Sequence, residues 1–178
     1  MADILYTIYE PIFCDCSHGY RINRGCHTAL KDFGSVVRKV NDKLFIVEAD
    51  IQGFFDNINH SQLLSLLKII IKDKYFLMYV KRFLESGVLI EGKFEHIYKF
   101  QPTEKGTPQG GLISPILGNV YLHYVLDCWF ETTVKQYDKE ARLIRYCDDF
   151  IACFNTESSA HKFFSEVQSR FKIFRSGN

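Results

Sequence analysis

Two adjacent aspartates stand in the middle of a run that otherwise favours a β-strand, RYCDDFIACF at residues 145–154. Asp is depleted in strands, and neighbouring carboxylates repel each other by about 1 kcal/mol in water and about 4 kcal/mol near a protein surface. A tight hairpin turn would accommodate Asp148 and Asp149, because Asp is common in turns. Taken alone, such a pair is more often an exposed turn than a site.

A third carboxylate, Asp50, ends the strand-like run LFIVEAD. If this strand lies beside the 146–154 hairpin, Asp50 and the turn carboxylates meet at one end of a sheet. Three converging carboxylates require cations, and hard oxygen ligands suit Mg²⁺, with Mn²⁺ as an alternative. Two such ions stabilise the attacking and leaving oxygens of an in-line displacement, so the pattern predicts nucleotidyl transfer.

The candidate ligands have unequal roles in this hypothesis. We expect Asp50 and Asp148 to contact both ions, Asp149 to support one of them, and the carbonyl of Ile51 to add a ligand. Asp56 is a rival acid, but it lies beyond the predicted strand, and we interpret it as a helix or turn cap.

Hydrophobic periodicity and turn residues predict the elements that position these acids. They are a helix at 28–41, a strand at 43–51, helices at 61–71 and 74–86, a hairpin at 88–100 turning at Glu91–Gly92, a loop at 103–111, a helix at 114–137, strands at 142–147 and 150–154, and a closing helix at 158–171. This order predicts an α+β fold in which an antiparallel sheet carries helices on one face.

Length and composition set broader limits. The 178 residues are enough for one domain, and a net charge of +1 gives no argument for a nucleic-acid partner. No apolar run is long enough to span a membrane, and the N-terminus lacks the features of a signal peptide. We therefore expect a soluble cytoplasmic protein.

Six cysteines raise the question of a metal site or disulfides. Cys14, Cys16 and Cys26 follow the spacing C-x-C-x9-C, which matches no common zinc pattern. The other three stand in apolar surroundings, where free cysteine behaves as a small hydrophobe. We expect neither ligand nor disulfide roles.

Four blocks of the sequence resemble, in the right order, the reverse transcriptase domain of group II intron-encoded reverse transcriptase–maturases. They are FCDCSHGYRINRGCHTAL, EADIQGFFDNINH, GTPQGGLISPILGNVYLHYVLD and RYCDDF. Retron and diversity-generating reverse transcriptases share the catalytic blocks, whereas GTPQGGLISPIL together with FFDNI favours the group II intron branch.

The resemblance implies a fold and an activity. The fold is a palm-type antiparallel sheet packed on helices, with partial helical fingers. The activity is RNA-directed DNA polymerisation with Mg²⁺ on an RNA template and DNA primer, using deoxynucleoside triphosphates, with group II intron RNA as a further partner.

The resemblance also implies roles for individual residues beyond the three metal-binding acids. Phe55 lies under the sugar of the incoming nucleotide and excludes a 2′-hydroxyl, and Gln109 contacts that nucleotide. Phe54 and Phe55 cannot both belong to the core if they are neighbours on a strand. Arg21 and Arg24 resemble basic residues of the fingers, for which we expect phosphate contacts; plain surface arginines are an equal alternative.

The chain is predicted to be a single partial reverse transcriptase domain over 1–178. Residues 1–43 resemble part of the fingers, and 44–178 are mostly palm, with a fingers-like insertion near 61–100. The family carries further fingers strands upstream and a thumb downstream. A non-catalytic maturase remnant that binds intron RNA, or a decayed fragment, remains an alternative, and so does an RNA-dependent RNA polymerase, in which the position of Phe55 would admit a ribose.

Overall fold

The computed structural model describes residues 1–40, 42–91, 98–101, 103–107 and 110–176. The helices are α1 (Ala2–Tyr9), α2 (Cys26–Lys39), α3 (Phe54–Asn57), α4 (His60–Ile70), α5 (Lys74–Glu85), α6 (Ser114–Leu122), α7 (Lys135–Tyr137) and α8 (Glu157–Ser176), with π-helical turns π1 (His123–Asp127) and π2 (Phe130–Val134) between α6 and α7. The strands are β1 (Phe45–Asp50), β2 (Val88–Glu91), β3 (Tyr98–Gln101), β4 (Arg142–Tyr146) and β5 (Asp149–Phe154).

The strands form two antiparallel sheets. A three-stranded sheet has the order β1-β5-β4, and β2 pairs with β3 in a separate hairpin. The predicted α+β class is therefore confirmed. The hairpin pairs Glu91 with Tyr98, whereas Gly92, at which the turn was predicted, lies outside the described residues.

Local signals in the sequence account for the helix boundaries. Asn59 and Asp73 cap α4 and α5, because each side chain accepts hydrogen bonds from backbone N–H groups of the first turn. Gly87 follows α5 with a φ of 68°, the left-handed conformation that ends many helices. Pro115 lies in the first turn of α6.

The helix α1 was not predicted. Its residues Leu5 and Tyr9, which are one turn apart, are buried.

The predicted helix at 114–137 is observed as one run of α6, π1, π2 and α7, which we call the long helix. It packs with α8 on one face of the three-stranded sheet. Phe163 of α8 is fully buried, with its ring centroid 5.2 Å from that of Phe154 on β5 and 5.7 Å from that of Phe130 on the long helix. This aromatic cluster anchors β5 to both helices, as expected for helices layered on a sheet.

The opposite face of the sheet is bordered by α2. Leu30 and Phe33 of α2 line an open pocket of about 480 Å³ together with Ile144 of β4 and Ile151 of β5. The sequence predicted helices on one face alone, so α2 is an addition on the other. In the described residues, no helix is both long and apolar enough to cross a membrane.

Arg145, on β4, is the largest completely buried side chain of the described residues. Its guanidinium donates two hydrogen bonds to the carboxylate of Asp127 in π1, at 2.8 and 2.6 Å. It also donates to Asn119 Oδ1 at 2.9 Å, to Ser17 Oγ at 2.8 Å and to the carbonyl of Cys147 at 2.9 Å. Burial is the largest single influence on the pKa of Arg145 and lowers it, but the charge and hydrogen bonds of Asp127, together with two nearby thiols, make the net shift upward.

The hydrogen bonds of the Arg145 side chain join three parts of the chain behind the β4–β5 turn. The segment 16–18 runs parallel to β4, and the backbone N–H of Arg145 donates to the carbonyl of Cys16 at 2.7 Å. Gly19 then passes so close to the turn that a Cβ atom there would collide with the sulfur of Cys147 and lie 2.7 Å from its backbone nitrogen. Only glycine fits this approach, so the segment supports the turn from behind.

We expect Asp127→Ala to lower the free energy of unfolding by about 3–5 kcal/mol, because it leaves the Arg145 guanidinium buried without its counter-charge. Denaturant unfolding measures this change. The matched control is Glu131→Ala, which removes a more exposed pair with Lys135 on the same helix and should cost less than about 1 kcal/mol. Equal losses in the two variants would contradict the stabilising role of the buried pair.

Candidate active site

The three predicted carboxylates lie together at one end of the three-stranded sheet. Asp50, the last residue of β1, is paired in register with Asp149, the first residue of β5. Tyr146, the last residue of β4, pairs with Asp149 from the other side. Directly opposed residues project to the same face of an antiparallel sheet, so Asp50, Asp149 and Tyr146 share the face that α2 borders. Asp148 lies in the turn between β4 and β5.

The turn that presents Asp148 contains two residues, Cys147 and Asp148. Cys147 has a φ of 58°, a positive value at the first turn position that suits the twist of a two-residue hairpin. A residue other than glycine adopts a positive φ only at a cost in conformational energy. The bond from Arg145 to the Cys147 carbonyl and the close packing of Gly19 hold the turn in this conformation.

The carboxylates differ in their exposure and electrostatics. Asp50 and Asp149 are exposed, and Asp148 is half-buried. Burial raises the pKa of the Asp148 carboxyl, and the charges of Asp149 and Asp50 raise it further; a backbone hydrogen bond and the charge of Arg145 oppose this. The ionised form of Asp148 is therefore disfavoured by its surroundings in the absence of a cation.

This donor set fits a divalent cation. It consists of hard carboxylate oxygens at one end of the sheet. Within the described residues, no basic side chain forms an ion pair with Asp50, Asp148 or Asp149. The carbonyl of Ile51 accepts a hydrogen bond from the N–H of Phe54 at 3.0 Å. A carbonyl oxygen has two lone pairs, so a second interaction at Ile51 is still available.

Tyr146 connects the site to α2. Interaction with the thiol of Cys26, at the first position of α2, raises the pKa of Tyr146 to about 12. Tyr146 also lines the pocket of about 480 Å³ that contains Asp50 and Asp149. The pocket therefore has acids at one end and the apolar side of α2 along its wall.

Phe54 and Phe55 belong to the short helix α3 rather than to a strand, so the strand-based reason for separating them was wrong. The separation itself is observed, because Phe54 is buried and Phe55 is half-buried. The Phe55 ring packs on α6 at Gly118, where a Cβ atom would lie 2.9 Å from it. Phe55 also lines a second open pocket, of about 950 Å³, with Tyr20 and Gly110.

Gln109 lies outside the described residues, so its predicted contact with the nucleotide stays a prediction. The neighbouring Thr107 donates its N–H to the carbonyl of Phe55 at 2.8 Å. The loop that carries Gln109 is thereby attached to α3.

Arg21 and Arg24 are both engaged within the chain. The buried Arg21 forms an ion pair with Glu10 at 3.0 Å, and its guanidinium donates to the carbonyls of Cys14, Ser17 and Glu10. Arg24 forms a more exposed ion pair with Asp15 at 2.5 Å. Phosphate contacts by either residue stay a prediction, and these internal bonds do not favour it for Arg21.

Asp56 lies in the first turn of α3, beyond the sheet, while Gly53 occupies the N-cap position. The prediction that Asp56 caps a helix was wrong for α3, whereas its predicted position beyond the strand is confirmed. A carboxylate in the first turn interacts favourably with the partial positive charge of the helix N-terminus.

The sequence analysis did not identify the residues that support the turn. Arg145 and Asp127 carried a usable signal, since each places a charge where the strand or helix pattern calls for a buried residue. Buried charges are nearly always paired, so these two could have been matched. Gly19 carried no comparable signal.

Comparisons with known proteins identify the family of this chain. Residues 1–175 match the family described as reverse transcriptase (RNA-dependent DNA polymerase). The group II intron-encoded protein LtrA of Lactococcus lactis subsp. cremoris is 41% identical over 138 residues, which are 78% of this chain and 21% of LtrA. An uncharacterized 91 kDa protein in the cob intron of Schizosaccharomyces pombe is 38% identical over 142 residues, covering 80% of this chain and 16% of that protein.

Among solved structures, apo telomerase from Candida tropicalis, truncated from its C-terminal domain, superposes with a TM-score of 0.72 at 16% identity. The match covers 98% of this chain and 36% of that one, and it shows a shared fold. The chain spans 21% of the length of LtrA and 16% of the length of the Schizosaccharomyces pombe protein. It belongs to the reverse transcriptase family, as a domain of the type found in group II intron-encoded proteins.

Proposed function

We propose that this chain is the catalytic core of an RNA-directed DNA polymerase that extends a DNA primer on an RNA template. One observation carries the proposal: Asp50 and Asp149 are paired across neighbouring strands, and Asp148 lies in the adjoining turn, so three carboxylates meet at one sheet end. The family match gives this arrangement its reaction class.

Asp50, Asp148, Asp149 and the Ile51 carbonyl would hold the Mg²⁺ or Mn²⁺ ions of the reaction. When bound, such ions stabilise negative charge on the attacking and leaving oxygens of nucleotidyl transfer. The task of the protein is to present its own carboxylate and carbonyl oxygens to the ions in a fixed arrangement. The turn held by Arg145 does so for Asp148, and the β1–β5 register does so for Asp50 and Asp149.

Phe55 and Gln109 are proposed to select the nucleotide. Phe55 lies on α3, close along the chain to Asp50, and its ring is fixed by packing against α6 at Gly118. A ring fixed in this way would collide with a ribose 2′-hydroxyl and tolerate a deoxyribose. Gln109 would contact the same nucleotide from the loop that hydrogen-bonds to Phe55.

We propose that residues 1–43 form a fingers-like part and 44–178 mostly a palm, with a fingers-like insertion near 61–100. The contacts at the base of the insertion support this division. The N–H of Gly106 donates to the carbonyl of Ile58 at 2.7 Å, and the carbonyl of Gly106 lies 2.6 Å from His60 Nε2. The chain thus returns to the residues between α3 and α4, where the insertion begins.

The proposed partners are a primed RNA template, deoxynucleoside triphosphates and group II intron RNA. The first two follow from the family, and the third follows from relatives that are encoded in introns. Because the chain spans 21% of the length of LtrA, activity is tested in a protein restored to the length of those relatives.

In the length-restored protein, we expect Asp148→Asn to reduce templated dNTP incorporation on primed RNA by at least about 10³-fold, because ion-held stabilisation of several kcal/mol is lost. Single-turnover primer extension measures this rate. Asp56→Asn, which alters an acid beyond the sheet, is the matched control and should retain activity. Loss in Asp56→Asn with activity kept in Asp148→Asn would contradict the assignment. An inactive wild type that binds intron RNA would favour the maturase alternative.

Phe55→Ala should increase incorporation of ribonucleotides relative to deoxynucleotides by about tenfold or more, since the ring that excludes the 2′-hydroxyl is removed. Competing rNTP and dNTP primer extension by the length-restored protein gives the ratio. Phe83→Ala, which alters another aromatic residue lining the same pocket, is the control. An unchanged ratio in Phe55→Ala would contradict the proposed selection.

The raised pKa of Asp148 also predicts a stability effect in the chain itself, without divalent ions. An acid with a raised folded-state pKa contributes stability that is complete below its unfolded pKa and is lost as the pH rises through the folded pKa. Asp148→Asn should therefore raise Tm at pH 7 in chelator, and this gain should vanish at pH 3. Added Mg²⁺ should raise Tm of the wild type more than that of the variant. Thermal unfolding that shows a lower Tm for the variant in chelator would contradict this account.

A further inference from the structure

Two cysteines and a histidine from distant parts of the chain meet behind the candidate active site. Cys14 precedes the segment that supports the turn, and His123 and Cys128 lie on the long helix. The ligand atoms of the three side chains all lie within 4.8 Å of one another. His123 is buried, and both cysteines are half-buried, so the cluster is close enough to the surface for an ion to enter.

The π-helical turn π1 brings His123 and Cys128 to the same side of the long helix. The N–H of Cys128 donates to the carbonyl of His123, five residues earlier. In an α-helix, side chains five residues apart diverge, because the repeat is 3.6 residues. The wider π turn aligns them, and such turns are frequent at functional sites.

A fourth sulfur adjoins the cluster. The Cys16 thiol and a hydrogen bond with His123 lower the pKa of Cys14 to about 5, whereas the Cys14 thiol and burial raise the pKa of Cys16. Metals bind the thiolate form of cysteine. Burial raises the pKa of Cys128 to about 11, so Cys128 would release its proton on binding.

The distances are close to those of a tetrahedral zinc site. Zn–S bonds of about 2.3 Å and Zn–N bonds of about 2.0–2.1 Å place sulfur and nitrogen ligands about 3.6 Å apart. His123 Nδ1 lies 3.8 Å from Cys14 Sγ and 4.0 Å from Cys128 Sγ. Cys128 Sγ is nearer to Nε2, at 3.4 Å, so a small rotation toward Nδ1 would complete the geometry.

We propose that Cys14, His123 and Cys128 bind a structural Zn²⁺ ion, and that the Cys16 thiol, which lies outside their 4.8 Å group, turns toward the ion as the fourth ligand. Three thiolates and an imidazole are the soft ligand set of closed zinc sites, and they differ in kind from the carboxylates of the active site. The sequence analysis missed this set because it grouped Cys14 and Cys16 with Cys26, whereas the fold groups them with the long helix.

The ion would fasten the segment that supports the catalytic turn to the helix that carries Asp127. Cys16 accepts the backbone bond of Arg145, and Asp127 immediately precedes Cys128. The proposed zinc site and the Arg145 bonds therefore join the same two parts of the chain. This role does not depend on polymerase activity.

Titration of Co²⁺ into the reduced, chelator-stripped chain tests the site. We expect one Co²⁺ per chain to produce thiolate-to-cobalt charge-transfer absorption, which Zn²⁺ then displaces. Cys14→Ser and Cys128→Ser should each weaken binding by at least about a hundredfold. Cys26→Ser alters an exposed thiol outside the cluster and should bind like the wild type. Binding of Co²⁺ at the carboxylates gives no sulfur charge transfer, so the two proposals fail separately.

A second measurement on the wild type requires no variant. Zn²⁺ should slow alkylation of Cys14 and Cys128 by iodoacetamide at least about tenfold, read peptide by peptide in a mass spectrometer, and leave Cys26 unaffected. Absence of charge-transfer absorption in the wild type would overturn the proposal. A disulfide would also overturn it. In that case the mass of the non-reduced chain would be lower by two hydrogens, with Cys14 joined to Cys16 or Cys128.

Discussion

The candidate site depends on one buried charge pair. Arg145 immediately precedes the Tyr146–Asp149 turn, and its guanidinium is fully occupied by Asp127, two further side chains and the Cys147 carbonyl. A turn with a positive φ at a non-glycine residue is costly unless its surroundings determine it. The guanidinium supplies that constraint from inside the core, so the acids outside can be exposed and mutually repulsive. Rigid support beneath an electrostatically unfavourable cluster is what a cation-binding site requires.

The same arrangement explains why stability and function oppose each other at the sheet end. The β1–β5 register places Asp50 beside Asp149, although like charges directly opposite one another destabilise a sheet. The long helix, α8 and the Phe163 cluster offset this cost on the other face. The unfavourable repulsion is therefore confined to one end of the sheet, and the core beneath that end is packed in the ordinary way.

The sequence allowed the fold class and the meeting of the three acids to be predicted, because strand periodicity and turn chemistry are local. Asp148 and Asp149 fit a turn, and Asp50 fits a strand end. What could not be predicted depends on contacts distant in sequence. Ser17 and Arg145 are 128 residues apart, and Cys14 and His123 are 109 apart. The π turn that aligns His123 with Cys128 leaves no trace in a 3.6-residue pattern.

The central claim is that the three carboxylates form a divalent-cation site. Electron paramagnetic resonance of Mn²⁺ titrated onto the chain tests it directly, with Asp50→Asn as the comparison. Asp50 is exposed, so this substitution leaves the buried charge pair and the turn unchanged. The account predicts bound Mn²⁺ in the wild type and at least about tenfold weaker binding in Asp50→Asn. Equal binding by the two proteins would contradict it.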